Sequence, residues 1–329
     1  MKPEKEVHLD YNGHENEQVT TALLLAAGTG SRLYPLTEHM PKCLTMVNGV
    51  SILERLVTCL SQHGFKRLVV VTGHLENSIR DFLGTRTGGL TIDYVSSPLY
   101  KTTNNIYSLW MARDIIQEPF LLVESDLIFD TSLLDDMLCP GRIAIASMKP
   151  WMNGSTVTVD QFQQVKAFWN GTAASLDEIS YKTVNIYSLS LPSWHRITER
   201  LDQHISAGRV NDFYEIVFAE MVADGSLSFQ TVSFDDNPWY EIDTVEDLVE
   251  AEIMFSIYRY GTITPYNITT SGPRISRPFP QKPGNGKMKS LPRSPADLGL
   301  SFHSDSLVDV KPAPGPYLPR ERTDKNDLS

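Results

Sequence analysis

Residues 22–44 read ALLLAAGTGSRLYPLTEHMPKCL, and this stretch decides the fold. An apolar run that reaches Ala27 ends abruptly in Gly28, Thr29 and Gly30. An apolar run bounded by glycine in this way is typical of a strand covered on both faces, as in a parallel sheet. Glycines directly after such a strand let backbone N–H groups approach an anion. The stretch therefore predicts a buried strand that leads into a phosphate-binding loop.

Two cationic side chains, Arg32 and Lys42, follow these glycines. A guanidinium binds phosphate as a planar fork and an ammonium binds it as a point charge, so the pair suits a polyphosphate. The loop lacks the third glycine of a dinucleotide-binding loop and the Gly-Lys-Ser or Gly-Lys-Thr of a P-loop, which argues against hydride transfer and kinase chemistry. The alternative is an ordinary strand and surface loop with two solvated cations. That alternative explains any one of these residues alone, but not the combination of glycines and cations in one loop.

Strands and helices alternate along the rest of the chain. Ser51 and Glu54 form the pattern of a helix-capping box, and apolar residues follow it at helical spacing. Further apolar runs that are typical of buried strands cover residues 67–72, 91–95 and 120–123. Around residues 150–190, apolar and polar side chains alternate instead, which predicts antiparallel strands. The predicted fold is mixed α/β, with a mainly parallel Rossmann-like sheet flanked by helices and an antiparallel β insertion.

Composition divides the chain into three predicted parts. Residues 1–20 are polar and predict a flexible leader, whereas residues 21–260 predict the folded domain. Residues 261–329 combine prolines, glycines, serines and charges with almost no periodicity. Such a segment buries too little apolar surface to offset its ordering entropy, so we predict a disordered Pro-rich tail.

Charge and hydropathy argue against several classes of function. The net charge is −11 and the pI about 5.2, which disfavours nucleic acid as a partner. No apolar run approaches the ~18 residues of a membrane span, and the polar N-terminal residues do not resemble a secretory signal. Cys43, Cys59 and Cys139 have no paired metal spacing. We therefore expect reduced thiols and a cytoplasmic location.

Two acidic segments supply candidate metal ligands. Asp126 ends the segment FLLVESD, and Asp243 ends PWYEID. Carboxylates at the carboxyl ends of parallel strands lie where open α/β sheets bind ligands, and two of them make an oxygen-rich site suited to Mg²⁺ and phosphates. Glu124 is a candidate water-mediated ligand. The alternative for a lone aspartate is a loop or helix cap, and Asp243 directly precedes a predicted helix over residues 244–258.

Other polar and aromatic residues have two interpretations each. Asn104 begins a predicted helix, where it either caps the helix or hydrogen-bonds a base or ribose. Lys182 is either an ordinary exposed lysine or a cation of the site. Trp239 and Tyr240 are either core residues or walls around a cationic head group. The histidines and serines form no nucleophile elbow and no His-Glu-x-x-His pair, so acyl transfer and zinc hydrolysis are unsupported.

These motifs together resemble a known family. LLLAAGTGSRLYPLTEHMPKCL is similar to the signature of nucleoside-triphosphate transferases that make sugar nucleotides and CDP-alcohols. TNNIYSLW, VESD and YEIDTVEDL are similar to segments of bacterial-type phosphocholine and 2-aminoethylphosphonate cytidylyltransferases. The resemblance covers roughly residues 20–258. It implies a nucleotide-diphospho-sugar transferase-like fold, CTP as a substrate and Mg²⁺ as the cofactor.

The resemblance also implies a role for each matching residue. The catalytic cations are Arg32, Lys42 and Lys182, and the metal ligands are Asp126 and Asp243. The acceptor-binding residues are Tyr240 and Asn153. The nucleotide-binding residues are Leu25, Ala26, Ala27, Gly28, Thr29, Gly30, Asn104, Ser108 and Glu124.

The implied reaction is transfer of CMP from CTP to a small phosphonate or phosphate monoester, with 2-aminoethylphosphonate as the first expectation and a homodimer as a candidate assembly. Phosphocholine is the alternative acceptor. Tyr240 matches one aromatic wall of a choline cage, but Asn153, Gly154 and Ser155 occupy the region of the other wall. Sugar 1-phosphates are the alternative acceptors after phosphocholine. A nucleotide-binding regulator without turnover is the non-enzymatic alternative, which a shared fold does not exclude.

Overall fold

A computed structural model describes residues 18–150, 152–170 and 179–257. All of them fall within the first of the two units into which the chain divides, Met1–Thr270. Most of the predicted leader and the whole tail predicted for residues 261–329 lie outside the described residues. No helix in the described ranges is both long and apolar enough to cross a membrane.

Strands and helices alternate along the described residues. The strands are β1 Thr21–Ala26, β2 Met46–Val47, β3 Val50–Ser51, β4 Arg67–Thr72, β5 Arg86–Thr87, β6 Leu90–Ser96, β7 Phe120–Glu124, β8 Leu127–Phe129, β9 Arg142–Ser147, β10 Ser155–Val159, β11 Val165–Asn170, β12 Ser180–Leu189, β13 Gln230–Ser233 and β14 Trp239–Glu241. The α-helices are α1 Ile52–Gln62, α2 Glu76–Leu83, α3 Asn105–Met111, α4 Leu191–Ser206, α5 Glu215–Ala223 and α6 Val245–Ile257.

The opening stretch forms β1, which lies in the middle of the main sheet. β1 pairs in parallel with β4 on one side and with β7 on the other. Its alternate residues pack into different apolar clusters, Leu24 and Ala26 into one and Leu23 and Leu25 into the other. Side chains of a strand alternate between the two faces of a sheet, so both faces are covered here. This confirms the prediction of a strand buried on both faces.

The main sheet combines a parallel centre with an antiparallel side. β6, β4, β1 and β7 lie next to one another in that order and run parallel. β12 pairs antiparallel with β7, β9 and β10, and β10 pairs antiparallel with β11. This arrangement confirms the mixed α/β fold and the antiparallel insertion.

A small two-stranded ribbon joins two distant parts of the chain next to β7. β8, which follows β7 closely, pairs antiparallel with β14, so that Leu127 lies opposite Glu241. The backbone N–H of Ile242 donates to the carbonyl of Asp126 at 2.9 Å. Because of this ribbon, the residues that follow β7 and β14 meet at the carboxyl end of the sheet.

A reciprocal capping box between Thr244 and Asp247 precedes and opens helix α6, directly after Asp243 in the chain. The Thr244 hydroxyl accepts from the backbone N–H of Asp247 at 3.1 Å, and the Asp247 carboxylate accepts from the backbone N–H of Thr244 at 2.8 Å. The same carboxylate accepts from the backbone N–H of Asp243 at 3.0 Å. Thr244 is thus the cap, and the side chain of Asp243 is left for other contacts.

Candidate active site

A cleft of about 540 Å³ opens at the carboxyl ends of β1 and β7. Leu25 in β1 lies opposite Glu124 in β7, so the loops that follow the two strands are neighbours. Open α/β sheets bind ligands at this edge. The predicted site residues that line the cleft are Leu25, Ala27, Gly28, Gly30, Arg32, Lys42, Asn104, Ser108, Glu124, Asp126, Asn153, Lys182 and Asp243.

Three predicted site residues do not line this cleft. Ala26 is buried on the opposite face of β1, which leaves only its backbone to act on a ligand in the cleft. The side chain of Thr29 is exposed. Tyr240 lines an adjoining cavity of about 150 Å³, to which Asn153 and Lys182 also belong. For Ala26 the reason is alternation along β1, because neighbouring residues of a strand point to opposite faces of the sheet.

Lys42 brings the two predicted metal ligands together. Its Nζ lies 2.7 Å from Oδ2 of Asp126 and 2.6 Å from Oδ1 of Asp243. Arg32 contributes a second cation, because its Nη2 lies 2.7 Å from the same Oδ1 of Asp243. Burial disfavours the charge on Lys42, but attraction to Asp126 and Asp243 outweighs it, so the pKa of Lys42 lies above its ordinary value. Lys42 therefore stays charged at neutral pH.

The donor set around Asp126 fits a magnesium ion that shares its ligands with a nucleotide. Within the described part of the chain, no group of three or more His, Cys, Asp or Glu side chains forms a complete metal site. Mg²⁺ does not require one, because it is commonly held by one or two carboxylates together with phosphates and water. Oδ1 of Asp126 is buried and has no hydrogen-bond partner among the described residues. That oxygen is free to act as a ligand.

The two glycines of the loop differ in what fixes them. Gly30 has a φ of 62°, in the left-handed region, and a Cβ there would lie 3.1 Å from side-chain atoms of Lys42 and Thr37. The Thr37 hydroxyl also donates to the Gly30 carbonyl at 2.8 Å. By contrast, a Cβ on Gly28 would meet nothing within 4 Å. Gly30 is needed by the fold, whereas no contact within the protein requires Gly28.

Lys182 lies in β12, part of the antiparallel insertion, and lines the cleft. It is only 2% exposed. Its Nζ lies 3.1 Å from Oε2 of Glu241 and donates to the Thr183 carbonyl at 2.9 Å. A Cβ on Gly154 would come within 3.2 Å of the same Nζ. The interpretation of Lys182 as an ordinary exposed lysine is therefore wrong. It is a buried cation next to a carboxylate in the cleft.

Asn104 caps α3 and lines the cleft. Its Oδ1 accepts from the backbone N–H of Asn105 at 2.8 Å, and its Nδ2 donates to the carbonyl of Asn211 at 3.3 Å. The capping interpretation is confirmed by this contact. Hydrogen bonding to a base or ribose stays a prediction for Asn104.

Two acids, the half-buried Glu124 and the buried Glu215, complete the cleft, and Glu215 was not predicted. Burial, reinforced by repulsion from Asp126 and Glu215, raises the pKa of Glu124 well above its ordinary value. Burial also raises the pKa of Glu215 to about 7, although its own backbone N–H and the nearby Lys182 oppose the shift. With a pKa of about 7, Glu215 is an acid of the cleft that changes charge near neutral pH.

Sequence reasoning missed several residues that line the cleft: Asn185, Phe213, Glu215 and Glu241. A signal existed for Glu241, because it precedes Asp243 by two positions and residues two apart in an extended segment share a side. None existed for Glu215. It reaches the cleft because α5 packs near β11, a contact that the local sequence does not encode.

Comparison with known proteins finds the same fold and related enzymes. The model of the nucleotidyl transferase family matches residues 21–139. A CMP-5'-(3-aminopropyl)phosphonate synthase of Streptomyces rubellomurinus is 30% identical over 256 residues, which are 71% of this chain and 38% of that protein. A 2-aminoethylphosphonate cytidylyltransferase of Lancefieldella rimae is 33% identical over 114 residues, which are 34% of this chain and 45% of that protein. The matches span less than half the length of both relatives.

A solved structure agrees in fold. The CTP:phosphocholine cytidylyltransferase of Streptococcus pneumoniae superposes with a TM-score of 0.62 at 21% identity, over 73% of this chain and 100% of that one. At this identity the likeness concerns the fold, and fold alone does not fix function.

Proposed function

We propose that this chain transfers CMP from CTP to 2-aminoethylphosphonate and releases pyrophosphate, on the premise that the nucleotidyl transferase match over residues 21–139 reflects its activity. The observation that carries the proposal is the cluster in which Lys42 contacts both Asp126 and Asp243 beside the glycine loop. A pure nucleotide binder has no need of two carboxylates at this point. Relatives that act on aminoalkyl phosphonates support the choice of acceptor.

The proposed reaction is an in-line displacement at the α-phosphorus of CTP. A phosphonate oxygen of the acceptor forms the new bond to that phosphorus, and the bond to the bridging oxygen of pyrophosphate breaks. The acceptor is already an anion at neutral pH, so the reaction needs no protein nucleophile and no strong general base. Catalysis then consists of positioning the reactants and neutralising their charge.

The residues of the cleft divide these tasks. Arg32 and Lys42 bind the β- and γ-phosphates, and the backbone of the loop at Gly28 lies against them. Asp126 and Asp243 would hold Mg²⁺, which would neutralise charge on the phosphates when bound. Lys182 neutralises the acceptor, and its burial at 2% exposure makes that charge act in a medium with little water.

Base recognition is assigned to the neighbouring part of the cleft. Asn104 and the backbone near Ala26 would contact the cytosine, and Ser108 lines the cleft close by. A carboxamide offers both a donor and an acceptor, which matches the edge of a pyrimidine. Glu124 would contact the bound nucleotide or its metal ion through a water molecule.

Phosphocholine is the second candidate acceptor, and one observation favours it. Trp239, Tyr240 and Glu241 line the adjoining cavity of about 150 Å³, and aromatic faces with a carboxylate suit a quaternary ammonium. The two candidates differ in the chemistry of the head group, which a direct comparison of acceptors resolves.

The test measures pyrophosphate release with Mg²⁺ across four nucleoside triphosphates and three acceptors: 2-aminoethylphosphonate, phosphocholine and glucose 1-phosphate. We expect CTP with 2-aminoethylphosphonate to give the highest kcat/KM. Turnover confined to glucose 1-phosphate would refute the cytidylyltransferase proposal. A wide preference for phosphocholine would establish the second candidate, and CTP binding without turnover of any acceptor would favour a regulator.

A further inference from the structure

Besides Asp126, a second acid that lines the cleft has a carboxylate oxygen without a hydrogen-bond partner among the described residues. Glu215 is the first residue of α5, is 5% exposed and lines the cleft. Its Oε2 is buried and has no hydrogen-bond partner among the described residues. A buried carboxylate oxygen without a donor is unfavourable unless the group is protonated or a cation pairs with it. Glu215 therefore favours a ligand that brings a positively charged hydrogen-bond donor.

Lys182, the cation that acts on Glu215, is already engaged. Lys182 acts on Glu215 electrostatically, but its ammonium contacts Glu241 at 3.1 Å and donates to the Thr183 carbonyl at 2.9 Å. Glu241 also adds negative charge near Glu215. The charge of Lys182 is thus shared between two carboxylates, and a further cation is needed to balance both.

The amide of Asn105 links the residue that precedes Glu215 to a second, half-buried acid, Glu124. Its Nδ2 donates to Oε1 of Glu124 at 3.2 Å, and its Oδ1 accepts from the backbone N–H of Tyr214 at 3.1 Å. Repulsion from Glu215 contributes to the raised pKa of Glu124. Asn105 thus fixes the start of α5 next to β7 and keeps two carboxylates at one end of the cleft.

We infer that Glu215 binds the primary ammonium group of the acceptor and thereby selects aminoalkyl phosphonates; this rests on the proposed function. A primary ammonium carries three N–H donors, one of which satisfies Oε2 of Glu215. A trimethylammonium carries none and is held mainly by aromatic faces. The ring that lines the cleft two residues before Glu215 belongs to Phe213 and is half-exposed, so it offers no enclosed aromatic wall. This end of the cleft suits a primary amine, and once that amine pairs with Glu215, less of the charge of Lys182 is drawn to Glu215 and more of it can act on the phosphonate.

The experiment compares the wild type with Glu215→Gln, which keeps the side-chain shape and removes the negative charge. Glu199→Gln is the matched control, because Glu199 is exposed on α4 and outside the cleft. The acceptors are 2-aminoethylphosphonate, its N-trimethyl analogue, and ethylphosphonate, which lacks the amine. Pyrophosphate release gives kcat and KM, and calorimetry with a non-hydrolysable CTP analogue gives acceptor affinity without turnover.

We expect Glu215→Gln to lose about 10- to 100-fold in kcat/KM for 2-aminoethylphosphonate, mainly through KM, as for a lost charge-assisted hydrogen bond. Its kcat/KM for ethylphosphonate should change less than about threefold by the same reasoning, because that acceptor has no ammonium to lose. Glu199→Gln should match the wild type with every acceptor. Unchanged CTP-analogue affinity in Glu215→Gln would show that the cleft is intact.

The outcomes separate the inference from the proposed function. If the wild type turns over 2-aminoethylphosphonate but Glu215→Gln keeps the same preference for it over ethylphosphonate, the inference is overturned and the proposed function stands. A wild-type preference for the trimethyl analogue also overturns the inference. If no acceptor releases pyrophosphate, the proposed function fails, and calorimetry decides the inference: equal affinity of the wild type for the aminated and unaminated phosphonates would contradict it.

Discussion

At the scale of single residues, the two glycines of the loop separate binding from folding. A Cβ on Gly28 meets no atom of the protein within 4 Å, and Gly28 does not have a left-handed φ. We expect Gly28→Ala to unfold at the same temperature as the wild type and to bind CTP at least about tenfold more weakly, because the backbone approaches the triphosphate there. Thermal unfolding and CTP titration measure the two effects.

Gly30→Ala is the matched control for this prediction. Gly30 has a φ of 62°, and the new Cβ would press on Lys42 and Thr37. This variant should lose roughly 1 kcal/mol or more of unfolding free energy, because the backbone conformation is strained for alanine. Normal CTP affinity in Gly28→Ala would count against a triphosphate lying on the loop backbone.

Asp126 and Asp243 are the residues on which the proposed metal role depends. Asp126→Asn and Asp243→Asn each remove one anionic ligand, so we expect kcat/KM to fall at least about 100-fold, since a lost metal contact costs several kcal/mol of transition-state stabilisation. Each variant leaves Lys42 one of its two carboxylate partners, so the fold should persist. Steady-state kinetics over a range of Mg²⁺ concentrations makes the measurement.

The exposed Asp136→Asn serves as the control for these variants. Asp136 lies ten residues after Asp126 in the sequence but does not line the cleft. The kinetics of Asp136→Asn should therefore match those of the wild type. Wild-type dependence on Mg²⁺ in both Asp126→Asn and Asp243→Asn would refute the assignment of these two residues.

The sequence predicts a site residue where the residues next to it in the chain form a recognisable motif. Arg32 and Lys42 stand in the glycine-loop motif, and Asp126 ends a strand pattern, so local chemistry identified them as candidates. Glu215 stands in no such motif, because its position in the cleft depends on how α5 packs. Lys182 was ambiguous for a similar reason: burial at 2% exposure results from the strands on both sides of β12.

At the scale of secondary-structure elements, the capping box of α6 fixes the backbone of a site residue. The Asp247 carboxylate accepts from the backbone N–H groups of Asp243 at 3.0 Å and of Thr244 at 2.8 Å. We expect Asp247→Ala to cost about 1 kcal/mol of unfolding free energy, as for other lost caps. It should also lower kcat severalfold, because Asp243 loses an anchor. Chemical denaturation and steady-state kinetics test both parts.

Glu246→Ala is the control in the same helical turn, since Glu246 is exposed and also acidic in the first turn of α6. It should keep the kcat of the wild type. If Asp247→Ala loses stability but keeps the same kcat as Glu246→Ala, the cap supports the helix alone and does not position Asp243.

The elements also show where sequence patterns stop being informative. The parallel strands and capped helices follow from local periodicity and from polar residues such as Ser51 and Thr244. The ribbon of β8 and β14 does not, because two strands of three residues each have too short a pattern to predict their pairing. That pairing sets Glu241 opposite Leu127 and brings Asp243 to Asp126.

At the scale of the whole molecule, the cleft is built from a limited part of the chain. Every residue that lines it lies between Leu25 and Asp243. We expect a variant that ends at residue 270, the boundary of the first unit, to keep the kcat and KM of the full chain. Kinetics of the two proteins side by side make the test. A large loss of turnover in the shorter protein would mean that residues 271–329 contribute to catalysis.

The acids of the cleft also make the stability of the whole molecule depend on pH. Burial raises the pKa of Glu215 from 4.5 to about 7, so the folded state binds this proton more tightly than the unfolded chain does. The contribution of protonated Glu215 to the free energy of unfolding is therefore fully present below about pH 4.5 and is lost as the pH rises through 7. Glu215→Gln cannot lose a proton, so its unfolding free energy relative to the wild type should increase by roughly 3 kcal/mol at most between pH 4.5 and 8. Urea denaturation of both proteins at intervals across that range measures the difference, and Glu199→Gln, exposed on α4, should show none. A pH-independent difference between wild type and Glu215→Gln would mean that Glu215 titrates at an ordinary pKa in the folded protein.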